Sequence, residues 1–175
     1  NIHSYSSIPY DNRKKEIINF GQIRPKKGLE EVIKLAFLLK ENKLNYKVVI
    51  MGQLLPEFES YYNILMMNKY YESDYIEWRL NLSEKEISNN YSSASYAYLP
   101  FPDGVSERRG SFFAALACQT PIFTTIGNQT TDNIKNVINV VNTPEELIFK
   151  IKKYPNDYFY NKQNLPLIND ILTKH

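Results

Sequence analysis

The clearest structural unit in the chain begins with Ile17-Ile-Asn-Phe-Gly21, a mostly apolar run that ends in glycine. The next residues, Gln22-Ile-Arg-Pro-Lys-Lys-Gly28, form a polar loop with basic residues at three of four successive positions. Apolar residues then recur at the spacing of an amphipathic helix, namely Leu29, Val32, Ile33, Ala36 and Phe37. The stretch therefore predicts a buried strand, a cationic loop and a helix, in that order.

Segments typical of strands and of helices alternate along the rest of the chain. The predicted strands are Glu16–Gly21, Lys47–Met51, Tyr75–Arg79, Tyr96–Phe101, Pro121–Thr125 and Asn136–Val141. The predicted helices are Gly28–Asn42, Pro56–Glu72, Ser83–Ser92, Ser111–Cys118, Thr131–Lys135 and Pro144–Lys153, with a last one over residues 156–172 that Pro166 interrupts. Two helices begin with capping boxes, Ser83-Glu-Lys-Glu86 and Thr143-Pro-Glu-Glu146.

The alternation predicts the fold class. Val48-Val-Ile-Met51 is apolar throughout, which is typical of a strand that is covered on both faces of a parallel sheet. Because crossovers between parallel strands are right-handed, we predict an α/β fold, a Rossmann-like doubly wound parallel sheet of about six strands with helices on both faces. In strand order 3-2-1-4-5-6, strands 1 and 4 are neighbours, and ligands bind at their carboxyl ends.

Composition narrows the function classes. The chain has 175 residues and a net charge of only +2, which suits one domain and does not favour nucleic acid as a partner. Its one cysteine, Cys118, excludes an internal disulfide, and its place in Ala-Leu-Ala-Cys predicts a buried apolar role. Two histidines argue against a histidine-based metal site or triad, and no apolar run approaches the length of a membrane span.

The chain divides into three expected parts. Residues 1–15 are polar and aperiodic and are expected to form a linker, residues 16–153 the Rossmann-like domain, and residues 154–175 a C-terminal helical extension. Because a core strand follows the linker abruptly, we expect the chain to be a piece of a longer protein.

A second cationic loop follows the fourth predicted strand. The sequence Pro100-Phe-Pro-Asp-Gly-Val-Ser-Glu-Arg-Arg-Gly-Ser111 leads directly into a helix of small and apolar residues. Arg108 and Arg109 therefore lie at the positive end of a helix dipole, an unfavourable placement unless an anion binds between them. A solvated basic turn is the alternative interpretation of this segment taken alone.

The topology brings the two cationic loops to one crevice. One loop carries Arg24 and Lys27 after strand 1, and the other carries Arg108 and Arg109 after strand 4. Several cations beside a helix N-terminus suit a diphosphate. The sequence has neither Gly-x-Gly-x-x-Gly after strand 1 nor Gly-Lys-[Ser/Thr], which argues against a dinucleotide oxidoreductase and a P-loop NTPase. A nucleoside-diphosphate ligand held by side-chain cations fits these two loops better.

Four ordered motifs then resemble a known family. They are Phe20-Gly-Gln-Ile-Arg-Pro-Lys-Lys-Gly28, Val49-Ile-Met-Gly52, Leu82-Ser-Glu-Lys-Glu-Ile87 and Ala114-Ala-Leu-Ala-Cys-Gln-Thr-Pro121. In this order and spacing they resemble the C-terminal, donor-binding domain of a GT-B glycosyltransferase of the family 4 type (glycosyl transferases group 1), which is one half of the GT-B architecture.

The resemblance implies a function. It implies retaining transfer of a sugar from a nucleotide-diphosphate sugar, without a metal or other cofactor, and an isolated domain that is inactive without its N-terminal acceptor domain. The expected partners are the nucleotide-sugar donor and a glycan or lipid-linked acceptor, as in the synthesis of surface polysaccharides. The expected location is cytoplasmic, at the inner face of the membrane.

The resemblance also implies roles for individual residues. Lys27 matches the lysine that contacts the donor diphosphate, while Gln22 replaces a partner arginine whose charge Arg24 supplies. Gly52 matches the glycine after strand 2, and Gly110 with Ser111 matches the helix start that holds the phosphates. Further donor-binding candidates are Gly21, Trp78, Arg79, Asp103, Arg108 and Arg109, where Trp78 and Arg79 occupy the nucleobase position and Trp78 has a core role as its alternative.

The paired glutamates of the family are the main departure. Counting back from the last motif places Ser106 and Ala114 at their positions, and neither is acidic. Glu107 or Asp103 is expected to replace the first glutamate near the sugar, so Glu107 joins Lys27 and Arg24 as a catalytic candidate. The alternative functions are a non-catalytic nucleotide-sugar-binding or partner-docking module, and an isomerase on the same scaffold.

Overall fold

Six parallel strands form one sheet in the order β3-β2-β1-β4-β5-β6. The computed structural model describes residues 8–154 and 165–174. The strands are β1 (Lys14–Phe20), β2 (Lys47–Gly52), β3 (Ile76–Leu80), β4 (Ala94–Leu99), β5 (Ile122–Thr124) and β6 (Asn139–Val140). The predicted Rossmann-like α/β class and the predicted order of strands are both confirmed.

Seven α-helices within the described residues connect or flank the strands. They are α1 (Leu29–Glu41), α2 (Glu59–Met66), α3 (Glu84–Ser93), α4 (Gly110–Ala117), α5 (Asp132–Lys135), α6 (Pro144–Lys153) and α7 (Leu165–Thr173). Buried residues of α1, α2 and α6 pack in one cluster on one face of the sheet, and those of α3, α4, α5 and α7 pack in a second cluster on the other. The sheet is therefore covered on both faces, as its continuous apolar strands require.

The central strands carry the core. Every residue of β4 is buried, and β1 pairs with it in parallel through Ile17 opposite Tyr96 and Ile18 opposite Ala97. Ile17 belongs to the cluster beneath α1, whereas Ile18 belongs to the cluster beneath α4, because successive side chains of a strand point to opposite faces. The carboxyl ends of β1 and β4 consequently meet in the middle of the sheet.

Cys118 packs against the second cluster. Its side chain is 2% exposed, its thiol donates a hydrogen bond to the carbonyl oxygen of Ser88 at 3.6 Å, and burial raises its pKa. The predicted buried role of Cys118 is confirmed.

One helix and one strand are shorter than predicted because local turns replace part of the regular structure. The helix predicted over Pro56–Glu72 begins as a 3-10 turn at Pro56–Phe58, and α2 ends at Met66. After it, the side-chain oxygen of Asn68 accepts a hydrogen bond from the backbone N–H of Tyr70 at 2.9 Å, a turn that competes with helix. The sixth strand is shortened to two residues because the N–H groups of Asn136 and Val137 bond back to α5.

The two ends of the described chain also differ from prediction. β1 begins at Lys14, two residues before the predicted strand, after Arg13 has donated hydrogen bonds to the carbonyl oxygens of Ile8 and Ala94 at 3.1 and 3.3 Å. Pro166 lies within α7 (Leu165–Thr173), at the start of the part of this helix that the structure describes. Residues 156–164 of that predicted helix lie outside the described residues.

Candidate anion-binding site

The two cationic loops touch at a glycine. Gly28 precedes α1 with φ of 79°, in the left-handed region that favours glycine, and is buried. A Cβ atom at this position would overlap the carbonyl oxygen of Pro100 in the loop after β4. The close approach of these two backbones brings Lys27, on the first loop, to the helix start at Gly110, on the second.

A cleft of about 140 Å³ opens between the two loops. It is lined by the ends of β1 and β4, by both loops and by the start of α4, through Asn19, Phe20, Gly21, Gln22, Lys27, Leu29, Leu99, Pro100, Phe101, Arg108, Arg109, Gly110 and Ser111. Seven of the candidate site residues from the sequence therefore share one cavity, and the lining contains three cations and no carboxylate.

Lys27 lies in an electrostatically unfavourable position. Partial burial lowers the pKa of its ammonium, and the positive charges of Arg24 and Arg109 lower it further, against a smaller opposing effect of Asp103. Among the residues that the structure describes, no carboxylate oxygen lies within 4 Å of its Nζ atom. The positive charge at Lys27 is therefore not neutralised by an ion pair within the described residues.

Arg24 adds to this charge from just outside the cleft. It is half-buried, and its Nε atom is buried without a hydrogen-bond partner among the described residues. Its charge is the second cause of the lowered pKa of Lys27. Arg24 thus contributes to the field at Lys27, although it does not line the cavity itself.

Arg109, by contrast, is held by two neighbours. Its guanidinium forms an ion pair with Asp103 and lies over the ring of Phe101, 4.8 Å from the ring centroid. Asp103 therefore pairs with Arg109 and also acts on Lys27 through its charge, although its own side chain is largely exposed. Arg108 is exposed at the rim of the cleft, and its backbone N–H donates to the hydroxyl of Ser106.

The start of α4 completes the site. Arg109 is the N-cap residue, no side chain caps the helix there, and its first turn contains no acidic residue. The first N–H groups of a helix have no intrahelical acceptor and carry partial positive charge. Gly110 and Ser111 therefore present donors to the same space that Lys27 and Arg109 face.

Gly21 and Gly52 join the cleft to a second cavity. A Cβ atom at Gly52 would overlap the carbonyl oxygen of Gly21, so the first loop packs directly on the end of β2. The second cavity, of about 320 Å³, is lined by Phe20, Gly52, Gln53, Asn81, Leu82 and Ile87. Because Phe20 lines both cavities, the two adjoin along the carboxyl edge of the sheet.

Trp78 and Arg79 do not line either cavity. The indole N–H of Trp78 donates to the hydroxyl of Tyr71 at 2.9 Å, and its ring packs edge-on against another tyrosine in the first cluster. Arg79 points to the opposite face, where it pairs with Glu77 and Glu16. Both side chains have structural partners, which lie in β1, β3, α2 and the segment between α2 and β3.

Glu107 also lies apart from the cleft. It is exposed and does not line the cavity. Its charge contributes, after that of Asp170, to the raised pKa of Lys174 beyond α7. The structure therefore does not bring Glu107 into the cleft with Lys27.

Six lining residues were not among the sequence candidates, and two of these have side chains that contact other parts of the site. The side-chain amide of Asn19 is buried in β1 and donates to the carbonyl oxygen of Tyr98 at 2.9 Å. Phe101 forms the floor beneath Arg109. A polar residue inside the apolar run Ile17-Ile-Asn-Phe20 was the available sequence signal for Asn19, whereas nothing local distinguished Phe101 from an ordinary core aromatic residue.

The described residues contain neither a cluster of metal-ligating side chains nor a membrane-spanning helix. No group of three or more His, Cys, Asp or Glu side chains is arranged to hold a metal ion in that part of the chain. None of the helices there combines the length and the apolar character that crossing a membrane requires.

Solved structures share this fold. The C-terminal domain of a glycosyl transferase group 1 family protein, LpcC, from Francisella tularensis matches with a TM-score of 0.71 and 17% identity, over 93% of this chain and 86% of that one. The pneumococcal O-GlcNAc transferase GtfA, in complex with UDP and GlcNAc, matches with a TM-score of 0.66 and 13% identity, over 94% of this chain and 34% of that one.

HepE from Anabaena, in complex with UDP and glucose, matches with a TM-score of 0.65 and 12% identity, over 94% of this chain and 44% of that one. This chain thus spans less than half of GtfA and of HepE. At these identities the likeness shows the fold, namely that of GT-B glycosyltransferase domains.

The family is shown by sequence. No curated protein matches the chain. The family model described as glycosyl transferases group 1 matches residues 6–164, which is most of the chain. The chain therefore belongs to the group 1 glycosyl transferases.

Proposed function

We propose that this chain is the donor-binding domain of a retaining glycosyltransferase that uses a nucleotide-diphosphate sugar. Membership of the group 1 family supports glycosyl transfer in general. The finer assignment depends on the cleft between β1 and β4, which combines three cationic side chains with the start of α4. This is the chemistry that recognises a diphosphate.

The observation that carries the proposal is the environment of Lys27. Its ammonium is partly buried beside Arg24 and Arg109, and both charges lower its pKa. Such like-charge clustering is unfavourable in the empty site and becomes favourable when a dianionic or trianionic group binds. A purely structural role for Lys27 would be better served by a neutral residue.

Two relatives in fold support a nucleoside diphosphate as the ligand, because GtfA and HepE were each solved with UDP. In this chain the second cavity, beside Phe20, is the space available to the nucleoside when the diphosphate occupies the cleft. Gln53 and Asn81 would supply amide groups there for base or ribose hydroxyls.

In the proposed reaction the bond between the anomeric carbon of the sugar and the β-phosphate oxygen breaks. The electron pair leaves with the nucleoside diphosphate, and an acceptor hydroxyl forms the new bond on the same face of the sugar while it passes its proton to the departing β-phosphate oxygen. Lys27, Arg108 and Arg109 stabilise the charge that develops on the leaving group, with the N–H groups of Gly110 and Ser111. These groups supply the positive charge in this proposal without a catalytic metal.

The proposed reaction also needs an acceptor for the sugar. We infer a glycan or lipid-linked acceptor held by a separate N-terminal domain, with the reaction in the cytoplasm at the inner face of the membrane. The isolated chain would then bind donor without transferring sugar.

A second candidate is a non-catalytic nucleotide-sugar-binding module. It is favoured by one observation, namely that no carboxylate lines the cleft within the described residues. Ser106 and Ala114 stand at the positions of the paired glutamates. The two candidates share donor binding and differ in turnover.

Calorimetric titration of this chain with UDP, GDP and ADP tests the shared step. We expect one of them to bind at sub-millimolar concentration, with affinity lost in Lys27→Ala and kept in Lys26→Ala, a neighbouring exposed lysine outside the cleft. Absence of binding by all three at millimolar concentration would contradict the proposal. Transfer or donor hydrolysis by a protein that contains this chain and an N-terminal acceptor domain separates the enzyme from the binding module.

A further inference from the structure

Three threonine hydroxyls hold the loop between β4 and α4. Thr124 Oγ1 donates to the carbonyl oxygen of Leu99 at 2.6 Å, and Thr125 Oγ1 donates to that of Phe101 at 2.5 Å. Thr130 Oγ1 donates to the carbonyl oxygen of Val105 at 2.6 Å. The donors come from β5 and the loop after it, and the acceptors from the end of β4 and its own loop.

The loop between β4 and α4 lies close to the loop after β5, and this contact is largely buried. Thr124 is 0% exposed and Thr130 is 9% exposed. The hydroxyl of Thr130 also accepts a hydrogen bond from the backbone N–H of Gly127 at 2.9 Å, and the N–H of Val105 donates to the carbonyl oxygen of Thr125. A Cβ atom at Gly104 or at Gly127 would overlap the backbone of the facing loop, so both loops approach without intervening side chains.

The carbonyl groups that accept these threonine hydrogen bonds lie next to the cationic part of the loop between β4 and α4. Val105, whose carbonyl Thr130 holds, precedes Ser106, and the Ser106 carbonyl and hydroxyl oxygens accept from the N–H groups of Arg109 and Arg108. Repulsion between Arg109 and Lys27 acts to open the cleft when no anion is bound. The threonine hydroxyls oppose that opening from the far side of the loop.

We propose that Thr125 and Thr130 are positioning residues for the anion site: through the carbonyls of Phe101 and Val105 they fix where Arg108, Arg109 and the start of α4 face the diphosphate. The inference rests on the proposed function, because it names the residues that shape the same cleft. Neither threonine touches the cleft through its hydroxyl, whose hydrogen bonds go to the backbone.

The chain offers a matched control at the opposite end of β5. Thr120 is 2% exposed, and its hydroxyl donates to the carbonyl oxygen of Tyr91 at 2.7 Å. This bond has the same chemistry and similar burial as that of Thr130, but it lies at the amino end of the sheet, away from the cleft. Its loss should affect stability without affecting the anion site.

The test compares Thr130→Val and Thr130→Ser with Thr120→Val and Thr120→Ser in the 175-residue chain. Valine keeps the shape and removes the hydroxyl, whereas serine keeps the hydroxyl. Calorimetry with the tightest binder among UDP, GDP and ADP gives the dissociation constant, and urea unfolding gives stability. We expect Thr130→Val to raise the dissociation constant about tenfold and Thr130→Ser to stay within about twofold of the unmodified chain.

Both Thr120 variants should bind as the unmodified chain does, even though Thr120→Val lowers the urea midpoint. Equal nucleotide affinity of Thr130→Val and Thr120→Val would overturn the positioning role while leaving the proposed function intact. Failure of the unmodified chain to bind any of the three nucleotides would overturn both. If Thr130→Val does not fold, the Thr125→Val and Thr125→Ser pair carries the same comparison.

Discussion

The loop after β1 and the loop after β4 bring positive charge to one cleft by different means. The first is short and pinned by backbone contacts, since Gly21 and Ile23 donate to the carbonyls of Met51 and Gln53 and Gly28 abuts Pro100. Lys27, which belongs to this loop, has no carboxylate partner within the described residues. The second is longer and is held by hydroxyls from a neighbouring loop.

In the second loop, the charge of Arg109 is already partly neutralised by a carboxylate. Arg109 shares an ion pair with Asp103 and stacks on Phe101, whereas Lys27 meets other cations. The two loops therefore contribute unequally: Lys27 provides a positive charge without a carboxylate partner, whereas Asp103 and Phe101 hold the guanidinium of Arg109 in place. Substitutions in the two loops should therefore have effects of different size and kind.

Replacement of Lys27 should have the largest effect. Lys27→Ala removes the least compensated charge of the cleft, so turnover of a protein with this chain and its acceptor domain should fall about a hundredfold or more. Initial-rate assays with the donor identified by calorimetry measure it, and the fold should persist by circular dichroism. Activity within about a factor of two of the unmodified enzyme would remove Lys27 from the site.

Replacement of Gly28 should separate the two loops. Gly28→Ala places a Cβ atom on the carbonyl oxygen of Pro100 at a backbone φ of 79°, which we expect to lower the free energy of unfolding by about 2 kcal/mol or more. Gly110→Ala is the matched control, because no atom lies within 4 Å of a Cβ there and the helix gains a better former. Urea unfolding that shows equal stability for both variants would refute the contact.

Replacement of Arg109 should weaken binding less than replacement of Lys27 does. Because Asp103 already offsets its charge, Arg109→Ala should raise the dissociation constant for the nucleoside diphosphate by only about tenfold. Asp103→Asn should tighten it by about twofold, since it removes a negative charge near Lys27 while Phe101 still supports the guanidinium. Calorimetry in low salt measures both, and weaker binding by Asp103→Asn would show that the ion pair, not the ring, orients Arg109.

The smallest expected effect is on pH dependence. The pKa of Lys27 is lowered in the folded chain, so as pH rises it loses its proton in the folded state before the unfolded state does. In the absence of ligand, its contribution to stability therefore rises with pH between the lowered pKa and about 10.5. Binding of an anion changes in the opposite direction, because only the protonated ammonium attracts it.

Nucleotide affinity should consequently fall severalfold between pH 7 and pH 10, and Lys27→Arg should reduce this fall because arginine stays protonated. Calorimetry of the unmodified chain and of Lys27→Arg over that pH range gives two affinity profiles. The difference between the profiles is free of the titration of the nucleotide itself, because that titration affects both equally. Identical pH profiles would indicate that Lys27 does not contact the anion.

The amino-acid sequence was sufficient to predict the sheet and the strand ends that bring the two cationic loops together. Alternating apolar segments predicted the strand order, because parallel strands with right-handed crossovers leave few arrangements. The same topology predicted that Lys27 and Gly110 would meet, and they line one cleft. These predictions succeeded because they depend on periodicity and chain direction, which are properties of long segments.

The partners of single side chains could not be predicted. Nothing in the segment Ile76–Arg79 shows that Arg79 pairs with Glu16, which is distant in sequence, or that Trp78 donates to Tyr71. The turn at Asn68 that follows α2 depends on one side-chain hydrogen bond, which composition does not reveal. Partner choice depends on short-range geometry after folding, whereas the fold depends on patterns summed over many residues.

The burial of Cys118 has a practical consequence for labelling experiments. The chain has a single thiol, and that thiol is sequestered and harder to ionise than a free cysteine, so maleimide dyes should leave the native protein unmodified. A cysteine introduced at an exposed position such as Met67, which is 83% exposed, would then carry the only fluorophore. Such a singly labelled chain would allow fluorescence anisotropy measurements without removal of any native residue from the core.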